Sequence, residues 1–331
     1  DILNESLNLL YKKYPEIKKS FEELSVPVIS EKMTFEELLS SLSPQWYTDS
    51  GLSKESLSLI VQNIITEESK IKKEQFPPFH SLTIKPGFDK DGKEEKYELT
   101  FFPGDIYAIT GFTGSGKTRF LEDVEYIAFG DSPSKRQILI NGKIPSEEER
   151  NYLENHLCAS LSQSMNFVME LSCKDFIKLH TQCRKKNLSE KELKELTKKV
   201  LKCANSLAGE KFNEESILTQ LSGGQARSLM IADIALISDA KIVLIDEPEN
   251  AGIDKDEILA LLSSKGKIVL VSTHDPVIAL SCPKRIVIKN GAISSILEKT
   301  EKENELLETL KDFDQKLKNI RNCIRKGNHV C

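Results

Sequence analysis

The stretch GFTGSGKT, Gly111 to Thr118, decides the fold. It has the spacing G-x-x-x-x-G-K-[ST] and lies between an apolar strand pattern, DIYAIT, and a helical pattern after Lys117. Glycines let successive backbone N–H groups point at phosphate oxygens, and the helix N-terminus adds a positive dipole. This context disfavours the alternative of a turn that binds nothing. Lys117 is predicted to reach the β- and γ-phosphates, and Thr118 is predicted to be a Mg²⁺ ligand. The full set of predicted nucleotide-binding residues in this loop is Gly111, Phe112, Thr113, Gly114, Ser115, Gly116, Lys117 and Thr118.

A second pattern, IVLIDE, places two acidic residues after a continuous apolar strand. Asp246 ends this strand and is predicted to hold Mg²⁺, directly or through water. Glu247 follows at once and can orient and partly deprotonate an attacking water. The alternative is a pair of exposed acids at a strand end. Because IVLIDE occurs in the same chain as the phosphate-loop pattern, the catalytic interpretation of the two acids is favoured.

A second glycine-rich stretch, LSGGQ, comes about a hundred residues after the first. It has no lysine at the phosphate-loop position, and it precedes the helical pattern ARSLMIADIALI. It therefore lies at a helix N-terminus, which is a second place for an anion. The predicted ligand-binding residues here are Leu221, Ser222, Gly223, Gly224 and Gln225.

In combination, these motifs resemble those of the ATP-binding cassette (ABC) ATPases. The resemblance implies an α/β fold with a RecA-like P-loop core, an antiparallel β subdomain and a helical subdomain. It also implies ATP and Mg²⁺ as cofactors and ATP hydrolysis as the activity. In that family LSGGQ binds the γ-phosphate of ATP held by the opposite subunit. The first implied partner is therefore a second copy of the chain, packed head to tail.

The resemblance assigns three more site residues. Gln163 in SLSQSMNF resembles the glutamine that contacts Mg²⁺ and the attacking water, and His274 in VSTHD resembles the histidine that contacts the γ-phosphate. Asp254 in NAGID takes the position that crosses the dimer interface, although Gly252 and Ile253 depart from the usual family pattern. Taken alone, each of the three would be an ordinary polar residue.

An aromatic residue usually stacks on adenine upstream of the phosphate loop in this family. Phe88 is the candidate, with Phe79 second; either could instead be a core or hairpin aromatic.

The chain is predicted to have three parts. Residues 1–75 read as a small helical domain, with a possible capping box from Thr34 to Glu37, and Pro77-Pro78 forms a linker. Residues 76–297 form the cassette, with the helical subdomain at about 165–225. Residues 298–331 form a charged helix and tail.

Composition limits the classes of function. The 331 residues carry 46 basic and 51 acidic side chains, a net charge of −5, which gives no case for a nucleic-acid partner. No apolar run is long enough to span a bilayer, and no signal peptide is apparent. The seven cysteines include no CxxC pair, so reduced thiols and a cytoplasmic location are expected.

The first hypothesis for function is a homodimeric ABC ATPase that remodels or activates a soluble protein partner. That partner could be a metalloenzyme, and the ATPase could serve its activation or maturation. The first segment resembles a short helical domain of anaerobes and iron–sulfur repair proteins, but it lacks the cysteine that follows ELSVPV there. The alternative is the ATPase subunit of a transporter, since MELSCKDFI lies where transporter ATPases meet their membrane partner. A ribosome- or nucleic-acid-associated cassette fits less well, because such proteins usually carry two cassettes or a long coiled-coil insertion and because this sequence is acidic.

Three soft ligands lie near the end of the sequence, Cys323, His329 and Cys331. They could bind zinc or iron, but a frayed polar tail is the favoured alternative.

Overall fold

The computed structural model describes residues 5–75, 78–162, 166–184, 188–248, 255–325 and 327. The chain divides into two compact units, Asp1–Pro78 and Phe79–Cys331. Each has its own buried apolar core.

The first unit is helical. Its helices are α1 (Leu7–Lys13), α2 (Pro15–Glu23), α3 (Phe35–Ser41), α4 (Pro44–Ser50) and α5 (Lys54–Gln75). Its core is formed by buried side chains about one helical turn apart, such as Ile17 and Phe21 in α2 and Leu57 and Val61 in α5. The capping box predicted before α3 is present, because Thr34 and Glu37 each bond the backbone N–H of the other. Local sequence thus fixes where this helix begins.

The second unit is built on a six-stranded sheet with the strand order β5-β6-β7-β3-β8-β9. The strands are β3 (Ile106–Thr110), β5 (Cys158–Leu161), β6 (Ile242–Asp246), β7 (Ile268–Ser272), β8 (Lys284–Lys289) and β9 (Ala292–Glu298). All neighbours are parallel except β8 and β9, which form an antiparallel hairpin. The apolar strands IVLID and IVLVS are buried along their whole length, apart from half-buried Asp246, as the sequence predicts for parallel strands.

The register of the sheet brings several chain segments to one edge. Asp246 of β6 pairs with Ser272 of β7, and Ile109 of β3 pairs with the same Ser272. The carboxyl ends of these three strands therefore lie side by side. In an open parallel sheet this edge is where ligands bind.

A smaller antiparallel sheet has the order β2-β1-β4. Its strands are β1 (Leu82–Lys85), β2 (Leu99–Phe101) and β4 (Gln137–Ile140). The turn predicted at Asp91-Gly92 joins the first two strands, and Gly92 has a φ of 79°. The antiparallel β subdomain that the sequence suggests is therefore present.

Helices cover the large sheet and extend from it. They are α6 (Lys117–Glu125), α7 (Glu147–His156), α8 (Cys173–Arg184), α9 (Glu190–Leu207), α10 (Gly223–Leu236), α11 (Lys255–Ser264), α12 (Pro276–Ser281) and α13 (Glu301–Arg325). One core packs α6 and the small sheet against one face, and a second packs α10, α11 and α12 against the other. A third core joins α8 and α9 to α10, which is the expected helical subdomain.

Two features differ from the sequence patterns. Helix α6 ends at Glu125, although the helical pattern TRFLEDVEYIAF continues to Phe129, because Ile127 takes a left-handed φ of 46° that a helix cannot continue through. Helix α7 and strand β5 have no counterpart in the patterns above. Three of the four residues of β5 are only half-buried and Ser160 interrupts its apolar residues, so it lacks the continuous apolar run that marks β6 and β7. Within the described ranges, no helix is both long enough and apolar enough to cross a membrane.

Candidate functional site

The phosphate loop connects the end of β3 to the start of α6, as the sequence predicts. Gly111, Gly114 and Gly116 all have positive φ angles, of 149°, 74° and 107°. At Gly111 a side chain is also excluded by space, because a Cβ would lie 2.3 Å from the carbonyl oxygen of Ile288. The loop therefore needs glycine for both its curvature and its close packing.

Lys117 is buried, although lysine seldom is, and its ammonium lies inside the loop. The Nζ atom donates to the carbonyl oxygens of Gly111 at 3.1 Å and Phe112 at 3.4 Å. It also lies 2.9 Å from Nε2 of His274. A positive charge is thus held at the centre of the predicted phosphate site.

Glu247 follows β6 and has a φ of 48°, uncommon for a residue with a side chain. Its backbone N–H donates to the carbonyl oxygen of Ser272, which holds it beside β7. Its Oε1 atom lies 3.4 Å from Nε2 of His274. The structure therefore brings together three of the four predicted catalytic residues, Lys117, Glu247 and His274.

The fourth predicted catalytic residue, Gln163, and the predicted interface residue Asp254 lie outside the described residues. The same holds for His329 and Cys331 of the C-terminal tail, for which a frayed polar tail is favoured over a metal site, while Cys323 is a half-buried free thiol.

Arg227, in α10 directly after the LSGGQ stretch, is a site residue that the motif analysis did not single out. It is 7% exposed, and its guanidinium donates to the carbonyl oxygens of Ser162 at 2.7 Å and Glu247 at 3.4 Å. It therefore links the residue before Gln163 to the candidate catalytic acid. The sequence does carry a signal, because Arg227 and Asp233 are the two charged residues of the largely apolar helical pattern ARSLMIADIALI.

The LSGGQ stretch starts α10 in the predicted way. Ser222 is the N-cap: its Oγ accepts from the N–H of Gln225 at 3.4 Å, and its own N–H donates to Oε1 of Gln225 at 2.9 Å. Ser222 and Gly223 are exposed, and a Cβ added at Gly223 would meet no atom within 4 Å. In the described part of the chain, none of the hydrogen bonds of residues 221–225 reaches the phosphate loop.

The two candidate adenine-stacking residues differ in burial. Phe79 is half-buried and packs against the core of the large sheet, which suits a structural role. Phe88 is 41% exposed, and its backbone N–H donates to the carbonyl oxygen of Ser134. Phe112 in the phosphate loop is 88% exposed, more than either. Phe88 stays the predicted residue for stacking on adenine.

The donor set fits a magnesium nucleotide. The Oγ of Ser115 is buried in the phosphate loop without a hydrogen-bond partner among the described residues, and a phosphate oxygen could accept from it. Thr118 is exposed at the start of α6. Asp246 is half-buried and is the last residue of β6, at the carboxyl edge of the sheet. Hydroxyl and carboxylate oxygens are ligands that Mg²⁺ prefers. Lys117 would meet the phosphate charge.

Comparison with known proteins gives a consistent result. Residues 95–250 match the family described as ABC transporter. An uncharacterized ABC transporter ATP-binding protein of Methanocaldococcus jannaschii is 45% identical over 253 residues, 75% of this chain and 94% of that protein. The macrolide export ATP-binding/permease protein MacB of Campylobacter jejuni is 31% identical over 63% of this chain. The aligned region spans only 32% of MacB.

Solved structures share the fold. A dimeric ATP-binding cassette bound to ADP and Pi superimposes with a TM-score of 0.52 at 23% identity, over 66% of this chain and 99% of that one. The protein cbiO1 of Clostridium perfringens, described as part of the ABC transporter complex cbiONQ, gives 0.54 at 20% identity, over 75% and 99%. Taken with the sequence relatives, these results show that the chain belongs to the ABC ATPase family, whose members bind ATP with Mg²⁺, hydrolyse it and dimerise.

Proposed function

We propose that the chain is the ATPase subunit of an ABC transporter, in which ATP closes a head-to-tail dimer and hydrolysis drives a membrane permease. The observation that carries this proposal is the 45% identical relative, which is named as a transporter ATP-binding protein and is covered over 94% of its length. The first hypothesis, activation of a soluble metalloenzyme, has no such support from the relatives described above. The transporter alternative is therefore preferred.

The chemistry begins at the phosphate loop. Backbone N–H groups and Lys117 would bind the β- and γ-phosphates, and Thr118 and Asp246 would hold the magnesium ion that accompanies them. The bound ion supplies charge neutralisation for the phosphates. Glu247 would accept a proton from the attacking water, and His274, held between Lys117 and Glu247, would contact the γ-phosphate.

The LSGGQ stretch would complete the site of the second copy. Ser222 Oγ accepts a bond from the Gln225 N–H, so its own hydrogen can point outward. The space around Gly223 lets a phosphate approach the first N–H groups of α10. Since this helix end is exposed and, among the described residues, makes no hydrogen bond to the loop of its own chain, a partner's nucleotide is the ligand that fits it.

The surface ahead of α8 suits a permease. Val168 is 90% exposed and Met169 is 43% exposed, next to Phe167, which packs on Phe176 with ring centroids 5.0 Å apart. These residues follow Gln163 closely, so a movement at the nucleotide could reach them. We propose that this patch, residues 167–169, binds the permease.

A pull-down from detergent-solubilised membranes tests the assignment. The Glu247→Gln chain with ATP should retain a multi-span membrane protein, and a Val168→Asp/Met169→Asp version should lose it while still binding ATP. Ile144→Asp is the matched control, because Ile144 is 52% exposed elsewhere on the same unit. If the Glu247→Gln chain captured a soluble enzyme in place of a membrane protein, and the patch variant captured it equally well, the first hypothesis would be preferred again.

A further inference from the structure

A buried ionic cluster lies beneath the phosphate loop. Arg136, just before β4, is fully buried, and so are the side chains of its partners Glu95 and Asp123. The guanidinium donates to both carboxyl oxygens of Glu95, at 2.9 and 2.6 Å, and to Oδ2 of Asp123 at 2.8 Å. Ser134 also donates to Asp123, at 2.7 Å. We name Glu95, Asp123, Ser134 and Arg136 the Arg136 cluster.

Most polar atoms of the cluster are hydrogen-bonded; Oδ1 of Asp123 is buried without a hydrogen-bond partner among the described residues. Glu95 also accepts from the backbone N–H groups of Gly87 at 2.9 Å and Ile293 at 2.6 Å. Burial alone lowers the pKa of the Arg136 guanidinium, but its bonds and charge attraction to Glu95 and Asp123 outweigh burial and raise that pKa. A fully buried charge is tolerated only with such compensation. The charges are therefore held in fixed positions.

One bond leaves the cluster and points to the phosphate loop. The Nη2 atom of Arg136 donates to the carbonyl oxygen of Gly291 at 2.6 Å. Gly291 lies in the turn between β8 and β9, and its own N–H donates to the carbonyl oxygen of Ser115 at 2.7 Å. The Cα of Gly291 is also 3.0 Å from where a Cβ of Gly116 would stand. A single residue thus joins Arg136 to two residues of the loop.

The same turn is held from its other side. The N–H of Lys90 donates to the carbonyl oxygen of Asn290 at 2.9 Å, and the ammonium of Lys90 donates to the carbonyl oxygen of Gly114 at 2.7 Å. Asp123 of the cluster lies in α6, the helix that begins at the last residues of the loop. The cluster therefore supports the loop through the β8–β9 turn and through α6.

We infer that Arg136 is a positioning residue for nucleotide binding, which fixes the phosphate loop by holding the Gly291 carbonyl. This inference rests on the proposed nucleotide site. Phosphate binding depends on backbone N–H groups that already point at the oxygens, and a loosened turn would let Ser115 and Gly116 move. The loss should fall on binding of the nucleotide more than on the chemical step.

The test uses Arg136→Lys in the purified full chain. Lysine keeps the charge, but the three donors on its single nitrogen cannot replace the four hydrogen bonds that the planar guanidinium makes to Glu95, Asp123 and Gly291. We expect KM for MgATP to rise about tenfold, which is about 1.4 kcal/mol, with kcat at saturating ATP lowered less than about threefold. Direct binding of MgATP should weaken by the same factor. Arg285→Lys is the matched control, since Arg285 on β8 pairs with Glu303 and has no bond to the loop.

The outcomes separate the two proposals. If the unaltered chain does not bind MgATP, the proposed function fails. If it binds, and Arg136→Lys has unchanged KM and affinity, the inference about Arg136 is wrong. A general loss of stability would lower the melting temperature and kcat without raising KM, and that result also counts against a positioning role.

A second variant covers the case in which Arg136→Lys does not fold. Gly291→Ala leaves every side chain of the cluster in place but disturbs the turn, because Gly291 has a φ of 86° and its Cβ would stand 3.1 Å from Cγ of Lys90. We expect the same rise in KM. Gly142→Ala is its control, a glycine with a φ of 76° and no atom near its Cβ position. Equal KM values for the two alanine variants would overturn the inference.

Discussion

The Nζ atom of Lys117 lies 2.9 Å from the Nε2 atom of His274, although 157 residues separate them in the sequence. Lys117 follows β3 and His274 follows β7, and these strands are parallel neighbours in the sheet. The contact is thus a direct consequence of strand order.

Removing the lysine charge should remove tight nucleotide binding. With Lys117→Ala, the loop loses the cation that meets the β- and γ-phosphates, and we expect the affinity for MgATP to fall beyond the micromolar range. Fluorescent-nucleotide titration measures it. The exposed Lys143→Ala should bind as the unaltered chain does. Micromolar binding retained by Lys117→Ala would contradict the phosphate-loop assignment.

Glu247→Gln should trap the ATP-bound dimer. The amide keeps the size of the side chain but cannot accept a proton from water, so hydrolysis stops while ATP still closes two copies together. Light scattering after gel filtration with MgATP should give twice the mass seen without nucleotide. A monomer under these conditions would be incompatible with the head-to-tail arrangement.

A bulky side chain at the start of α10 should separate ATP binding from hydrolysis. Ser222→Arg fills the exposed helix end where the partner's phosphate would approach, so we expect ATP binding by one chain to persist and turnover to be lost. Phosphate release and nucleotide titration measure the two properties. Ser206→Arg, on exposed α9 surface, serves as control. Normal turnover in Ser222→Arg would mean that LSGGQ has no catalytic part.

Arg227 should affect turnover through Glu247. Replacing it with methionine removes the donors to the carbonyl oxygens of Ser162 and Glu247, at a cost of about 1–3 kcal/mol for buried groups left without them. We expect kcat to fall about tenfold or more and KM to change less, because the acid is displaced while the phosphate loop is intact. The kcat of Arg227→Lys should lie between that of the unaltered chain and that of Arg227→Met. A rise in KM alone would contradict this role.

Much of the fold and the site could be predicted because the signals are local. The phosphate loop, the acid pair after β6 and the N-cap of α10 each depend on a few consecutive residues and the backbone angles they allow. The continuous apolar runs of β6 and β7 likewise identify buried parallel strands. Strand β5 and helix α7 lacked such signals.

The sequence by itself determined where the phosphate-loop motif lies, which residues are predicted to bind phosphate, and which acid follows the strand, since those depend on short-range spacing. Only the tertiary structure decided that Lys117, His274 and Glu247 meet, that Arg227 bonds Glu247, and that Arg136 reaches Gly291 from 155 residues away. The reason is physical: strand order and side-chain packing join segments that are distant in the chain, and no local pattern encodes which of them become neighbours.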